Sequence, residues 1–189
     1  MDSALIVSYT QKGITFFTEL LKAASFLHIV SSNAGSDARR RLLERDFDIV
    51  IINSPLPDET GESLAKDIAA KGLSQVILVV QNEHFEEISA SCENYGILTI
   101  AKPVNKSLCW SALKLAISTQ SRIKSMRSEN AQLKQKIEDI RVIDRAKCVL
   151  ISFLNMSEQE AHRYIEKQAM DMRATRRVVA DNILKSYEN

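Results

Sequence analysis

FDIVIINSPLPDETGESLAKDI, residues 47–68, decides the fold class of this chain. Its run Ile49–Asn53 is apolar almost without a break, which is the composition of a parallel strand covered on both faces. A loop holding Pro57 and Gly61 follows, and then Glu62–Lys71 carries apolar residues at helical spacing. The same unit repeats outward in both directions. Ala4–Ser8 and Leu27–Ser31 precede it as strands, and Val76–Val80 and Leu98–Ala101 follow. Helical patterns at Ile14–Ala24, Asp37–Asp46 and Phe85–Glu93 lie between them. Alternation of this kind calls for right-handed crossovers and a doubly wound α/β sheet. Five strands predict a flavodoxin-like parallel sheet in the order 2-1-3-4-5, with any ligand at the carboxyl ends of the strands.

Composition excludes several classes. The chain has 189 residues, 45% of them hydrophobic, which is enough for one ordinary domain and a small second unit. No apolar run approaches the ~18 residues of a membrane span, and MDSALIVSYT has no basic region ahead of its apolar stretch, so no membrane contact and no secretory signal are expected. Cys92, Cys109 and Cys148 are odd in number and widely spaced, which fits free thiols in a reducing compartment; the cytoplasm is the expected location. No zinc spacing, metal cluster or cofactor motif is present, and none is expected to be bound. Charge is uneven. Residues 120–189 hold 14 Lys and Arg against 10 Asp and Glu, while residues 1–119 hold 11 against 14. The imbalance places any polyanionic partner at the C-terminal end.

After Pro103 the sequence contains neither proline nor glycine, so residues 106–154 can run as one long helix. Within it Ile123, Met126, Asn130, Leu133, Ile137 and Ile140 fall at alternating steps of three and four, an a/d seam of almost three heptads. A lone Asn130 at an a position favours a parallel, in-register dimer, in which its amide meets its own copy across the two-fold axis. Glu129 would face Lys134 favourably, whereas Arg122 would meet Arg127 and Lys136 would meet Arg141. The expected partner is a second copy of the chain; the other reading packs this stripe on the chain's own domain.

Past residue 141 the apolar stripe widens to Val142, Ala146, Val149, Leu150 and Phe153, the pattern of a helix entering a small bundle. Ser157 with Glu160 three residues on reads as a capping box opening Glu158–Met170, with Ala161, Tyr164, Ile165, Gln168 and Ala169 inward. Thr175 is placed to cap a last helix whose apolar face is Val178, Val179, Ile183 and Leu184. The expected organisation is therefore residues 1–120 as the α/β domain, 121–141 as a coiled-coil linker helix, and 142–189 as a three-helix bundle.

Two family resemblances follow from these residues. Residues 3–120, through the segment 47–68 and the pair Lys102-Pro103, resemble a response-regulator receiver. A receiver uses a carboxylate nucleophile, two metal-holding acids, a hydroxyl and a lysine; the resemblance puts Asn53, Ser8 with Tyr9, Val80 and Lys102 at those places. An amide is a poor nucleophile, and neither Ser8 nor Tyr9 brings formal charge to Mg²⁺. The resemblance thus implies a pseudo-receiver with a degenerate phosphoacceptor pocket. Its Lys102, with no phosphoryl group to meet, is left to a nearby carbonyl or Asp. Asp58 and Glu59 lie in the same loop and read as solvated turn acids.

The C-terminal stretch resembles an ANTAR domain, carried by Ala146-Lys147 and Leu150, Met156-Ser157-Glu158, Glu160-Ala161, Ala169-Met170, and Arg177, Val178, Ala180 and Ile183. Cys148 stands where the family usually has Gly, and Ile151 where it often has Met. That resemblance implies RNA binding, with Lys147, Arg145, Arg163, Arg173, Arg176 and Arg177 as the candidate cations. Each has the alternative role of an ordinary surface cation.

The leading functional expectation is a transcription antitermination regulator. The resemblance implies a dimer that binds tandem hairpins of a nascent leader transcript and excludes the terminator, with no aspartyl phosphorylation to control it. A regulatory protein partner, a small ligand or concentration alone would then supply control. The alternative is a protein-interaction module of a signalling system that has lost RNA binding. DNA binding is disfavoured because residues 141–189 contain no Gly for a tight helix-turn-helix turn. No nucleophile–base pair is present, so no enzyme is expected.

Overall fold

A computed structural model of the protein describes residues 3–187. The chain forms two compact units, Met1–Lys124 and Ser125–Asn189. In the first, β1 (Ser3–Ser8), α1 (Gln11–Ala23), β2 (His28–Ser32), α2 (Gly35–Glu44), β3 (Ile49–Asn53), α3 (Glu62–Lys71), β4 (Gln75–Val80), α4 (Phe85–Glu93) and β5 (Leu98–Ala101) alternate, with a short 3-10 turn at Asn82–His84. Helix α5 (Lys106–Leu154) begins in this unit and continues into the second, which adds α6 (Glu158–Asp171) and α7 (Arg176–Tyr187).

The sheet is parallel throughout, in the order β2-β1-β3-β4-β5. That is the order expected from the sequence, and the five strands differ from expectation by a residue at most. The largest shift is at β2: Leu27 lies outside the strand and is exposed.

Alternate side chains of the central strands enter two cores. Leu5, Val7, Val50, Ile52, Leu78 and Val80 pack with Leu64, Ala65 and Cys92 from α3 and α4. Ala4, Ile6, Ile49, Ile51, Ile77 and Val79 pack on the other face with Phe17, Leu21, Cys109 and Leu113 from α1 and α5. Strand parity therefore decides which face each residue at the carboxyl edge serves. In register, Ser8 stands beside Asn53, and Asn53 beside Val79.

Local chemistry sets the helix ends. Thr10 caps α1 by accepting from the Gly13 amide at 3.2 Å. Helix α2 has no such residue of its own; Asp58 of the β3–α3 loop accepts from the Gly35 and Ser36 amides, both at 2.8 Å. Two open amides at a helix N-terminus are a favourable place for a carboxylate.

The second unit buries Ala146, Val149 and Leu150 of α5 against Ala161, Ile165 and Ala169 of α6 and Val179, Ala180, Ile183 and Leu184 of α7. Asn155, with φ of 50°, ends α5, and the Ser157–Glu160 capping box opens α6 as expected. Helix α6 closes in a Schellman turn, with Ala174 N–H donating to the Ala169 carbonyl and Arg173 N–H to that of Met170. Its left-handed position is Arg173, φ 49°, where glycine is the usual residue. Thr175 accepts from the Val178 amide at 3.3 Å. Three residues expected inside stand outside: Phe153, Tyr164 and Val178 are exposed. Small residues let the helices approach closely, so the core is narrow and the flanking positions of each apolar stripe fall beyond it. Phe153 lies against the Tyr187 ring instead, 5.5 Å between centroids.

Candidate functional site

At the carboxyl edge of the sheet a depression of about 580 Å3 opens beside the ends of β1, β3 and β5. Asn53 and Lys102 line it with Tyr9, Gly13, Phe16 and Gln81. Asn53 donates from Nδ2 to Ser8 Oγ at 2.9 Å, and Ser8 passes its own hydroxyl to the Thr10 carbonyl at 3.3 Å. Ser8 is buried, whereas Tyr9 is exposed. Gly13 is required by this packing: a Cβ there would meet Ser8 Oγ at 2.5 Å and Asn53 Nδ2 at 2.6 Å. Lys102 Nζ donates to the Ser54 carbonyl, and burial pushes its pKa below the ordinary lysine value. The peptide bonds before Pro55 and Pro103 are cis.

One expected member does not join this group. Val80 points into the α3–α4 core and is buried there, so it presents nothing to the depression. Gln81, one residue on, has the same parity as Ile77 and Val79 and takes the place. Counting alternate residues along β4 is the signal that finds it. Asp58 and Glu59 turn away from Asn53. The amides of Ser36 and Gly35 lower the Asp58 pKa to about 2, and Glu59 pairs with Arg39 at 3.2 Å. They tie the β3–α3 loop to α2 and are more than solvated turn acids.

In the second unit the candidate cations differ in their surroundings. Lys147 is largely covered, held between Asp144 at 2.8 Å and Glu158 at 3.2 Å, and Asp144 is the main cause of its raised pKa. Arg177 donates to Asp181 at 3.0 Å and to Asp139 at 3.1 Å, and Asp181 leads in raising its pKa. Arg176 pairs with Glu166 at 3.1 Å. Arg163 and Arg173 are exposed. Neither has an ion pair among the described residues. Arg145 is exposed on α5.

A second surface was not singled out from sequence. Tyr164, Gln168 and Met172 of α6 and Asn182, Ser186 and Tyr187 of α7 line a groove of about 530 Å3. The spacing of Tyr164, Gln168 and Met172 by four makes one helix stripe, visible in the sequence, where Tyr164 and Gln168 are read as core. Along α5, Met126, Leu133, Ile137 and Ile140 are each more than half exposed, Asn130 is exposed and Ile123 half-buried.

Residues 131–184 match the ANTAR domain family. The chain is 24% identical over 168 residues to the transcriptional regulatory protein PdtaR of Mycobacterium tuberculosis, covering 89% of this chain and 82% of that protein. The sheet unit is similar to the signal receiver domain of an HD domain-containing protein from Pseudomonas fluorescens Pf-5. That match has a TM-score of 0.58 and 21% identity, over 66% of this chain and 92% of that one. A response regulator receiver domain protein from Clostridium thermocellum gives a TM-score of 0.58 at 15% identity, over 65% and 99%. The chain thus joins a sheet unit of receiver fold to a segment, residues 131–184, that matches the ANTAR domain family.

Proposed function

We propose that this protein is an RNA-binding transcription antitermination regulator that acts as a dimer on paired hairpins of a nascent leader transcript. The ANTAR match over residues 131–184 carries the reading. Splayed loop bases are read by stacking on planar side chains and by hydrogen bonds to their edges. The groove between α6 and α7 offers both, with Tyr164 and Tyr187 as rings and Gln168 and Asn182 as amides. Arg163 and Arg173 are the first phosphate contacts, because neither has to leave a carboxylate. Lys147, Arg176 and Arg177 hold acids that RNA would have to displace. The exposed seam from Ile123 to Ile140, with Asn130 at its centre, supplies the dimer contact. Holding two hairpins in this way would exclude an overlapping terminator.

Aspartyl phosphorylation does not control the protein in this reading. The depression at Asn53 has no carboxylate among its lining residues, so neither a nucleophile nor a magnesium ligand set is on hand.

The test is a gel shift of untreated protein at several salt concentrations, with an RNA of two adjacent hairpins against a one-hairpin control. Tight binding that requires both hairpins is expected. Equal binding to the two RNAs with a steep salt dependence would reduce the interaction to phosphate attraction and remove the reading. The ion pairs on Lys147, Arg176 and Arg177 favour a second function, a protein-interaction module. It predicts no RNA binding at all and a partner contact indifferent to substitution of Arg173, Arg176 and Arg177.

A further inference from the structure

A receiver pocket that loses its acids and keeps its lysine changes sign. Lys12 and Lys102 line the depression at Asn53, and no Asp or Glu does. The two acids of the adjoining loop are engaged at α2, Asp58 by backbone amides and Glu59 by Arg39. Lys102 is half-buried and spends one of its three hydrogens on the neutral Ser54 carbonyl. A carbonyl satisfies a hydrogen bond without balancing the charge, and a partly buried cation without a counter-charge is costly. The amide-rich N-terminal turn of α1, at Thr10 to Gly13, adds positive potential to the same wall.

The other walls define the rest of the ligand. Tyr9, Phe16, Pro103 and Val104 present rings and aliphatic carbon. The Gln81 amide is exposed and has no side-chain partner among the described residues. A hydrated inorganic anion would leave these apolar walls unused, whereas an anion carrying an apolar body uses both parts.

We propose that this depression binds a small organic carboxylate with an aromatic body. The carboxylate meets the Lys102 ammonium and the Gln81 amide, and the ring lies among Tyr9, Phe16 and Pro103. This names the ligand for the reading that control does not come from phosphorylation, and it rests on that reading. Phosphoryl labelling in the presence of Mg²⁺ would overturn the underlying reading; a failed titration without labelling overturns only the ligand site.

The experiment is an amide-resolved NMR titration of the full chain with phenylacetate, its neutral analogue phenylacetamide, and inorganic phosphate. Saturable shifts at Gly13, Gln81 and Lys102 are expected with phenylacetate. Phenylacetamide should bind about tenfold more weakly, the worth of one charge-assisted hydrogen bond. Lys102→Met should lose the response. Lys12→Met changes an exposed side chain without endangering the fold, and should weaken phenylacetate by a smaller factor while leaving phenylacetamide unchanged. No saturable shift with phenylacetate, equal binding of the amide, or the same shifts at the same concentrations of phosphate would each overturn the proposal.

Discussion

The depression in the sheet unit holds two lysines and no acid, whereas in the helical unit Lys147, Arg176 and Arg177 already hold carboxylates. Formal charge suggests the opposite ranking, since the excess of Lys and Arg lies beyond residue 120. The difference means that the count of basic residues does not measure the charge that folding leaves uncompensated. The first unit has no acid lining the depression around Lys102, so its charge there stays open. The second holds Lys147, Arg176 and Arg177 in ion pairs and leaves rings and amides open in the α6–α7 groove.

The largest expected effect is on the core behind that groove. Ile165→Ala removes a buried side chain from a small three-helix core, at a cost of about 2–5 kcal/mol. Ile51→Ala in the sheet removes similar packing from a larger core. Thermal unfolding by circular dichroism together with RNA gel shifts should show Ile165→Ala losing RNA binding under conditions where Ile51→Ala retains it. Equal retention would mean that the groove does not carry the binding.

Arg173→Gly sharpens the comparison at a single cation. A left-handed residue with a Cβ costs about 1–2 kcal/mol relative to glycine, so the turn should become more stable. The same change removes an unpaired cation, and the slope of log affinity against log salt should fall by about one. A raised melting temperature with an unchanged salt slope would remove Arg173 from the RNA contacts.

A smaller effect belongs to Asp58. Its folded pKa, about 2, lies below the ordinary carboxylate value of 3.8. A depressed acid stabilises the fold above its unfolded pKa, and that contribution fades as pH falls from about 4 towards 2. Asp58→Asn should flatten the acid limb of the sheet unit's melting temperature over that interval and leave neutral-pH RNA binding alone. An unchanged acid limb would separate Asp58 from the α2 cap.

The smallest expected effect is none. Asn53→Asp places a carboxylate at the end of β3 but leaves Ser8 and Tyr9 without charge. Intact-mass measurement after incubation with a phosphodonor and Mg²⁺ should show no added phosphoryl group. Robust labelling would break the proposal that phosphorylation does not control the protein.

What the sequence determined by itself was set by neighbours along the chain. The apolar runs specify five parallel strands, proline and glycine fall silent where α5 runs, and Ser157 with Glu160 writes its own helix start. These depend on periodicity and on groups three or four residues apart, so one chain of letters suffices. The tertiary structure decided which groups meet across longer distances. Only packing brings Asp58 to the amides at the start of α2, closes Lys147 between Asp144 and Glu158, and joins Arg177 to Asp139. It also puts Tyr164 outside a bundle drawn tight by alanines, and strand parity in the folded sheet gives Gln81 the place the sequence assigned to Val80. Whether a charge is open or paired depends on those meetings, because Coulomb energy and desolvation follow distance in space and not distance along the chain.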